Sequence, residues 1–267
     1  MKNFNYEEKL WGGSNESLSV FSLNSLKLKT LLDHLGHIKG SVIEVGCGGG
    51  GIVKAIKRSR PDLEVYGVDI SKNAIEFAKK NSEGVNFIIG DIDKLTFNQK
   101  SFDAVVVFDV LEHIQDDKRA LTEIKRILKP KGILSLFVPL DGSPFTLQGI
   151  AKSLGFIPKK TYAGHVHQYS EKEVINLLKE SGFLVKEKKY TQYLFHQFTD
   201  LAYFTFLYLR RKNFKYSVES YIEANRGAGK LIILFLKSVF SVISFLESKV
   251  FAPLPGLGLH VKAVKIS

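Results

Sequence analysis

Short β-branched apolar runs alternate with amphipathic stretches along residues 18–192. The runs SVIEVG (41–46), LEVYGVD (63–69), VNFIIGD (85–91), FDAVVVFD (102–109) and GILSLFVP (132–139) are bounded by Gly, Pro or polar residues and predict buried strands. FLVKEKKYTQ (183–192) and LHVKAVKI (259–266) alternate with a period of two and predict a sixth and a seventh strand. Helical spacing fills the intervals. It predicts helices over 18–36, ending on Gly36; over 50–58, closed before Pro61; and over 72–80, capped by Ser71. Two more are predicted over 116–128, with Ile124, Ile127 and Leu128 on one face, and over 171–181, opened by the capping box Ser170 and Glu173. Strands alternating with helices predict an α/β fold with a doubly wound, mostly parallel sheet.

Residues 193–255 break this rhythm. They hold the longest apolar runs, LFHQFTDLAYFTFLYL (194–209) and LIILFLKSVFSVISFL (231–246), and predict a helical insertion between strands six and seven. On a helix over 230–248, Lys230, Lys237, Ser241, Ser244 and Ser248 share one stripe and nearly every other position is aliphatic or aromatic. Such a helix needs burial on most of its surface, in protein or in lipid. The second run, broken by Lys237, is shorter than the roughly 20 apolar residues that span a bilayer, which predicts an interfacial or capping role. The division predicted is an N-terminal helical segment (1–40), a core (41–192 with 256–267) and the insertion (193–255).

Charge sharpens the picture of the insertion. The 267 residues carry a formal net charge of +11, yet 1–185 hold 25 basic and 22 acidic side chains, against 13 and 5 in 186–267. Most of the excess therefore sits with the apolar runs, including the cluster Arg210-Arg211-Lys212 behind an aromatic stretch. Basic charge beside apolar surface suits an anionic membrane face, and no nucleic-acid partner is expected because the aliphatic bulk is wrong for one. The competing reading is a buried helical subdomain with a solvated basic face. The 45% apolar and 24% charged fractions exclude wholesale disorder. The single cysteine, Cys47, excludes an intramolecular disulfide and a Cys-based zinc site. With no apolar segment in MKNFNYEEKLWGG, the location expected is cytoplasmic, peripheral on the inner face of a membrane where the insertion docks.

Candidate chemistry gathers at the predicted strand ends. Strand one runs into Gly46-Cys47-Gly48-Gly49-Gly50-Gly51, where the backbone can turn tightly and a ligand can approach it. Gly46, Gly48 and Gly51 also satisfy the dinucleotide fingerprint. Three acids bear on the choice. Glu44 precedes the glycines, Asp69 ends strand two where a carboxylate accepts ribose hydroxyls, and Asp91 ends strand three. An acid at Glu44 suits a cationic ammonium, so a nucleoside joined to an amino acid fits better than a dinucleotide.

VIEVGCGGG, VYGVDIS, FIIGDIDKL, FDAVVVFDVLEHI and LKPKGILSLFVP, in this order over about 40–190, resemble the successive motifs of class I S-adenosylmethionine-dependent methyltransferases, closest to the small-molecule and quinone-biosynthesis group. The resemblance implies a seven-stranded sheet with the last strand antiparallel beside the sixth, and S-adenosyl-L-methionine as cofactor. It implies Gly46, Cys47 and Gly48 under the methionine moiety with Glu44 near it, Asp69 on the ribose, Ile70 against adenine, Asp91 and Ile92 at the adenine edge, and Phe108 and Asp109 facing the sulfonium.

Methyl transfer from a sulfonium is an in-line displacement, so the protein mainly aligns donor and acceptor, and a hydroxyl acceptor must also lose a proton. His113 in DVLEHI and His167 in GHVHQYS are the predicted bases, and O-methylation the favoured transfer. The same residues permit a divalent metal held by Asp109, Glu112, His113 and one of His165 and His167; an acid-x-x-Glu-His run resembles the magnesium site of some ubiquinone-pathway and small-RNA methyltransferases. The metal-free reading packs Leu111 and His113 on the sheet and leaves Glu112 as a cap or in solvent. Tyr6 and Trp11 form either a lid or an anchor for the N-terminal segment. Three functions follow: a methyltransferase for a lipid or isoprenoid-like acceptor with 193–255 facing the membrane, a soluble small-molecule methyltransferase whose insertion is a lid or dimer face, and a membrane-bound cofactor-binding protein without catalysis.

Overall fold

A computed structural model describes the backbone of residues 23–210, 228–252 and 254–266; for residue 23, residue 210 and residues 228–237 it describes the backbone alone. Tyr6, Trp11, the first turn of the predicted 18–36 helix, and Arg211 with Lys212 lie outside the described residues.

Seven strands form one sheet: β1 (Ser41–Val45), β2 (Glu64–Asp69), β3 (Val85–Ile89), β4 (Phe102–Phe108), β5 (Leu128–Pro139), β6 (Phe183–Thr191) and β7 (Gly258–Lys265). Their order is β3-β2-β1-β4-β5-β7-β6. The pairs from β3 to β5 are parallel, and β7 lies antiparallel between β5 and β6. The chain therefore reverses its strand order between β1 and β4, the switch point at which open α/β sheets bind ligands.

The central strands are buried on both faces, which is why they read as unbroken apolar runs. Val42, Ala104, Val106 and Phe137 pack under α1 (Leu23–Leu35), α2 (Gly51–Ser59) and α3 (Lys72–Lys80), through Leu31, Val53, Ile56 and Ile75. Ile43, Val105, Val107 and Leu136 pack under α4 (Asp117–Ile127) and α7 (Glu171–Glu180), through Leu121, Ile124, Val174 and Leu178. Helix starts follow side-chain caps: Ser71 accepts from the Ala74 amide, Asp116 from Arg119, and Ser170 exchanges bonds with Glu173.

Two departures from the sequence reading have local causes. The fifth strand begins at Leu128, not at 132, because Leu128 pairs with Phe102 and Ile133 with Ala104 while the residues between loop out as a bulge. Pro130 is tolerated there because its missing amide lies where the ladder is interrupted. Residues 140–170, for which the sequence reading names no helix or strand, hold α5 (Leu147–Ser153) and α6 (Pro158–Tyr162). Gly149 and Pro158 hid them from a periodicity reading. Gly149 is needed because a Cβ there would sit 1.8 Å from the Ser143 carbonyl oxygen.

The insertion forms α8 (Leu194–Arg210) and α9 (Ala228–Val250). No helix among the described residues is long and apolar enough to cross a membrane. Helix α8 packs on α5, α6 and α9, and α9 also touches α1. Glu247 of α9 accepts from the Phe195 amide, satisfying an orphan donor in the first turn of α8. The polarity of this pair is inverted. Gln197, Ser244 and Ser248 face the protein, with Ser244 only 1% exposed, while Phe198 is 65% and Leu246 55% exposed.

Candidate active site

The chain leaves β1 through Gly46, whose φ of 76° and whose amide bond to the Val68 carbonyl (2.8 Å) set the turn. A Cβ on Gly46 would lie 2.2 Å from Val110 Cγ2, so the position needs glycine on steric as well as conformational grounds. The Gly48 amide donates to Asp69 Oδ2 (2.7 Å) and the Ser71 amide to Asp69 Oδ1 (2.9 Å). The Asp69 carboxylate is thus held at the end of β2, and each oxygen keeps acceptor capacity for a hydroxyl. Ile70, beside it, is 56% exposed, an open apolar face next to the Asp69 carboxylate.

Glu44 is buried under the glycine loop. Burial, with smaller contributions from Asp69 and Asp109, pushes its carboxyl up to about 8, against the opposing bond from the Val53 amide. Its Oε2 has no hydrogen-bond partner. A buried acid with an orphan oxygen in this place is suited to a cationic amine. The Cys47 thiol is buried and raised, chiefly by desolvation, which keeps it an inert wall of the loop. Asp91 is exposed past β3 and accepts from the Asp93 amide, while Ile92 packs into the core. Phe108 is a core side chain, edge-on to Phe137 and His260, so at that position only the backbone is available to a ligand. Asp109 has a left-handed φ of 55°, an uncommon conformation that turns the chain at the end of β4. Its carboxylate pairs with Lys27 of α1 (2.5 Å), whose ammonium also lies 3.7 Å from the Phe137 ring centre. Sequence reasoning missed Lys27, since nothing in 18–36 marked it.

The two histidine segments meet. The Glu112 carbonyl accepts from the Val166 and His167 amides (2.9 and 3.0 Å), which ties GHVHQYS to DVLEHI. Ligand atoms of Glu112, His113 and His165 lie within 4.8 Å of one another. His113 Nδ1 donates to the Gly164 carbonyl (3.2 Å), and His165 Nδ1 to Asp141 Oδ2 (2.7 Å); the two rings meet edge-on, 4.9 Å apart. A carbonyl and a carboxylate only accept, so in the neutral rings both Nε2 atoms carry the lone pair. Glu112 is 1% exposed, which corrects the expectation of a cap or solvent-facing acid. Burial, then Asp109, holds its carboxyl well above the usual range, and burial with the neighbouring His165 lowers His113 to about 4. Burial thus disfavours the charged form of both side chains in this corner.

The remaining member of the predicted metal set, Asp109, and the alternative histidine, His167, stand apart. Asp109 is engaged by Lys27, and His167 stacks on Tyr169 (5.3 Å, 14°) with its Nε2 on the Gln115 carbonyl (3.3 Å). One carboxylate, whose Oε2 is buried without a partner, and two imidazoles remain as a donor set. That set fits a borderline divalent cation better than magnesium, which prefers oxygen.

Residues 43–136 match the methyltransferase domain family model. Over 162 residues the chain is 30% identical to the demethylmenaquinone methyltransferase of Thermotoga maritima, covering 54% of this chain and 70% of that protein. Over 188 residues it is 28% identical to the ubiquinone biosynthesis O-methyltransferase of Coxiella burnetii, covering 64% and 79%. The fold matches Haemonchus contortus phosphoethanolamine N-methyltransferase 2 in complex with S-adenosyl-L-methionine (TM-score 0.59, 20% identity, 96% of this chain and 56% of that one). It also matches the [4+2]-cyclase SpnF (TM-score 0.55, 18% identity, 89% and 79%), so the structural likeness carries the fold and not the reaction. The switch-point loop, its ordered motifs and these relatives together make the chain a member of the class I S-adenosylmethionine-dependent methyltransferases.

Proposed function

We propose that the protein transfers a methyl group from S-adenosylmethionine to a hydroxyl of a hydrophobic, quinone-like acceptor taken from a membrane surface. The cofactor supplies an activated methyl on a positively charged sulfur. Glu44 takes its ammonium, with Gly46, Cys47 and Gly48 beneath the methionine moiety. Asp69 takes the ribose hydroxyls, Ile70 lies against the adenine, and Asp91 and Ile92 bound its edge. The backbone of Phe108 and Asp109 faces the reacting sulfur. Val110, Leu111 and Glu112 join that backbone to His113, and this short link supports His113 as the acceptor-side imidazole.

The acceptor's O–H proton passes to His113 or to its neighbour His165 as the new O–CH3 bond forms and the S–CH3 bond breaks. His167, turned onto Tyr169, holds the loop over the site. A cation on Glu112, His113 and His165 would act as a Lewis acid that lowers the pKa of the acceptor hydroxyl. The acceptor class is supported by relatives named for demethylmenaquinone and ubiquinone methylation.

The observation that carries the membrane reading is the inverted polarity of α8 and α9, whose serines and glutamine face inward while Phe198, Leu246 and Val250 face out. The test uses methyl-labelled S-adenosylmethionine with a lysate of the host, split into organic, aqueous, protein and nucleic-acid fractions. Label in the organic fraction is expected. Label confined to the aqueous fraction sinks the quinone-like acceptor and leaves the insertion as a lid or a dimer face.

A further inference from the structure

A buried chain of charges runs from the insertion to the acceptor corner. Asp200 of α8 accepts from the Lys159 ammonium (2.7 Å) and from Gln148 Nε2 (2.8 Å). The same Lys159, in α6, donates to Asp141 Oδ1 (2.9 Å), and Asp141 Oδ2 accepts from His165 Nδ1 (2.7 Å). Phe204, one turn beyond Asp200, brings its ring centre 5.6 Å from the Lys159 ammonium. Three elements thus meet on one lysine, the segment after β5, α6 and α8, and Gln148 joins α5 to them through Asp200.

Such a chain is a poor device for stability. Each ion loses its hydration, and an apolar replacement of the same shape is often neutral or better. What the chain does achieve is geometric. Asp141 can only accept, so it fixes the proton of His165 on Nδ1 and leaves the lone pair on Nε2, in a ring that lies beside Glu112 and His113. Lys159 fixes Asp141 by occupying its other oxygen, and Asp200 draws Lys159 into the bridge. Without Asp200, Lys159 is bound on one side only, pulls harder on Asp141 and weakens the bond to His165.

We propose that Asp141, Lys159 and Asp200 are positioning residues through which helix α8 sets the tautomer and orientation of His165, so that the acceptor site is complete only when the insertion is docked. This rests on the reading of Glu112, His113 and His165 as the acceptor side. Gln148, which ties Asp200 to α5, belongs to the same chain.

The deciding readout needs neither acceptor nor metal. Full-length protein labelled with 15N-histidine is examined by long-range proton–nitrogen correlation, with His165 assigned by its loss in His165→Gln. The expected wild-type pattern is a protonated Nδ1 and an unprotonated Nε2. Asp141→Asn should convert it to a mixed or inverted pattern. Asp200→Asn should shift the same signals part of the way, and Asp200→Glu should restore them. S-adenosylmethionine affinity should stay within about threefold, because the proposed cofactor groups lie at the ends of β1 to β4 and outside this chain, while labelled transfer to the organic fraction falls about tenfold or more. An unchanged His165 pattern in folded Asp141→Asn and Asp200→Asn proteins would reduce the chain to a structural ion cluster and overturn the proposal. If Asp141→Asn does not fold, Asp200→Asn decides alone, since that carboxylate is the less buried of the two. Failure of the acceptor reading would leave the tautomer pattern intact and appear only in where the label goes, so the two failures are distinguishable.

Discussion

At the ends of β1 and β4 the chain holds left-handed turns at Gly46 and Asp109, and beside them the buried carboxyl of Glu44. Glu44 shows how one buried acid couples folding, pH and ligand. Its carboxyl holds a proton up to about 8 in the folded protein, against an ordinary value near 4.5. Between those values the folded state binds more protons than the unfolded one, so unfolding free energy falls as pH rises through that window. Glu44→Gln removes this slope. The variant should gain stability relative to wild type between pH 5 and 8 and run parallel to it above, by thermal unfolding without cofactor. It should also weaken S-adenosylmethionine binding about tenfold or more, the worth of a hydrogen bond to a charged group. Calorimetry at pH 7 in buffers of different ionisation enthalpy should show a proton released on binding by wild type and none by the variant. Gly46→Ala meets both a φ of 76° and Val110 Cγ2, so it should cost about 1–3 kcal/mol of stability and abolish cofactor binding. The glycines and acids were legible in the sequence because each has a chemical type and a spacing. Lys27, Asp141, Lys159 and Asp200 were not, since an ion pair across 82 residues or a carboxylate behind a histidine leaves no periodic mark.

At the scale of elements, the core helices and the insertion obey opposite rules. Helix α4 turns Leu121 and Ile124 to the sheet, and α7 does the same with Val174 and Leu178. That is why period and caps sufficed to find them. In α9 the stripe of serines was legible, but its direction was not. A helix apolar on most faces is read from sequence as needing cover all round, and only packing tells which face is covered. The structure turns Ser244 and Ser248 inward and leaves Val242 and Leu246 outward. Replacing Phe198 on α8 and Leu246 on α9 with Asp tests what that outer face is for. Both side chains are mainly solvent-facing, so the melting temperature should move little. Flotation with vesicles containing anionic lipid should be strong for wild type and fall several-fold for the double variant. It should also weaken with salt, because part of the attraction is the positive charge of the last third of the chain. Flotation equal for the two proteins would show that the face meets protein instead.

For the whole molecule, the decisive feature is how the insertion is spliced into the sheet. β7 is an interior strand, antiparallel to β5 and β6, so the chain must leave β6 and come back beside it. Thr191 stands opposite Gly258, and the Leu257 amide donates to the Gln192 carbonyl (2.9 Å). Those two ends are already placed as an antiparallel pair is placed before a tight turn. The intervening residues are not needed to close the sheet, and two residues such as Asn-Gly would join the strands. Replacing 193–256 by Asn-Gly should therefore give a folded protein that keeps both faces of the sheet and binds S-adenosylmethionine within about threefold of wild type. The buried contacts of Tyr193 and Leu207 would be lost, and the melting temperature should fall without the transition losing its cooperativity. Lys159 would keep Asp141 but lose Asp200. Transfer of label to the organic fraction should drop to background, together with vesicle flotation. Cofactor binding retained with transfer lost would mark the insertion as the part that supplies acceptor and membrane to a self-sufficient cofactor domain. Loss of cofactor binding in a folded deletion protein would mean that α8 and α9 help build the cofactor site itself, and the division of labour between sheet and insertion would have to be abandoned.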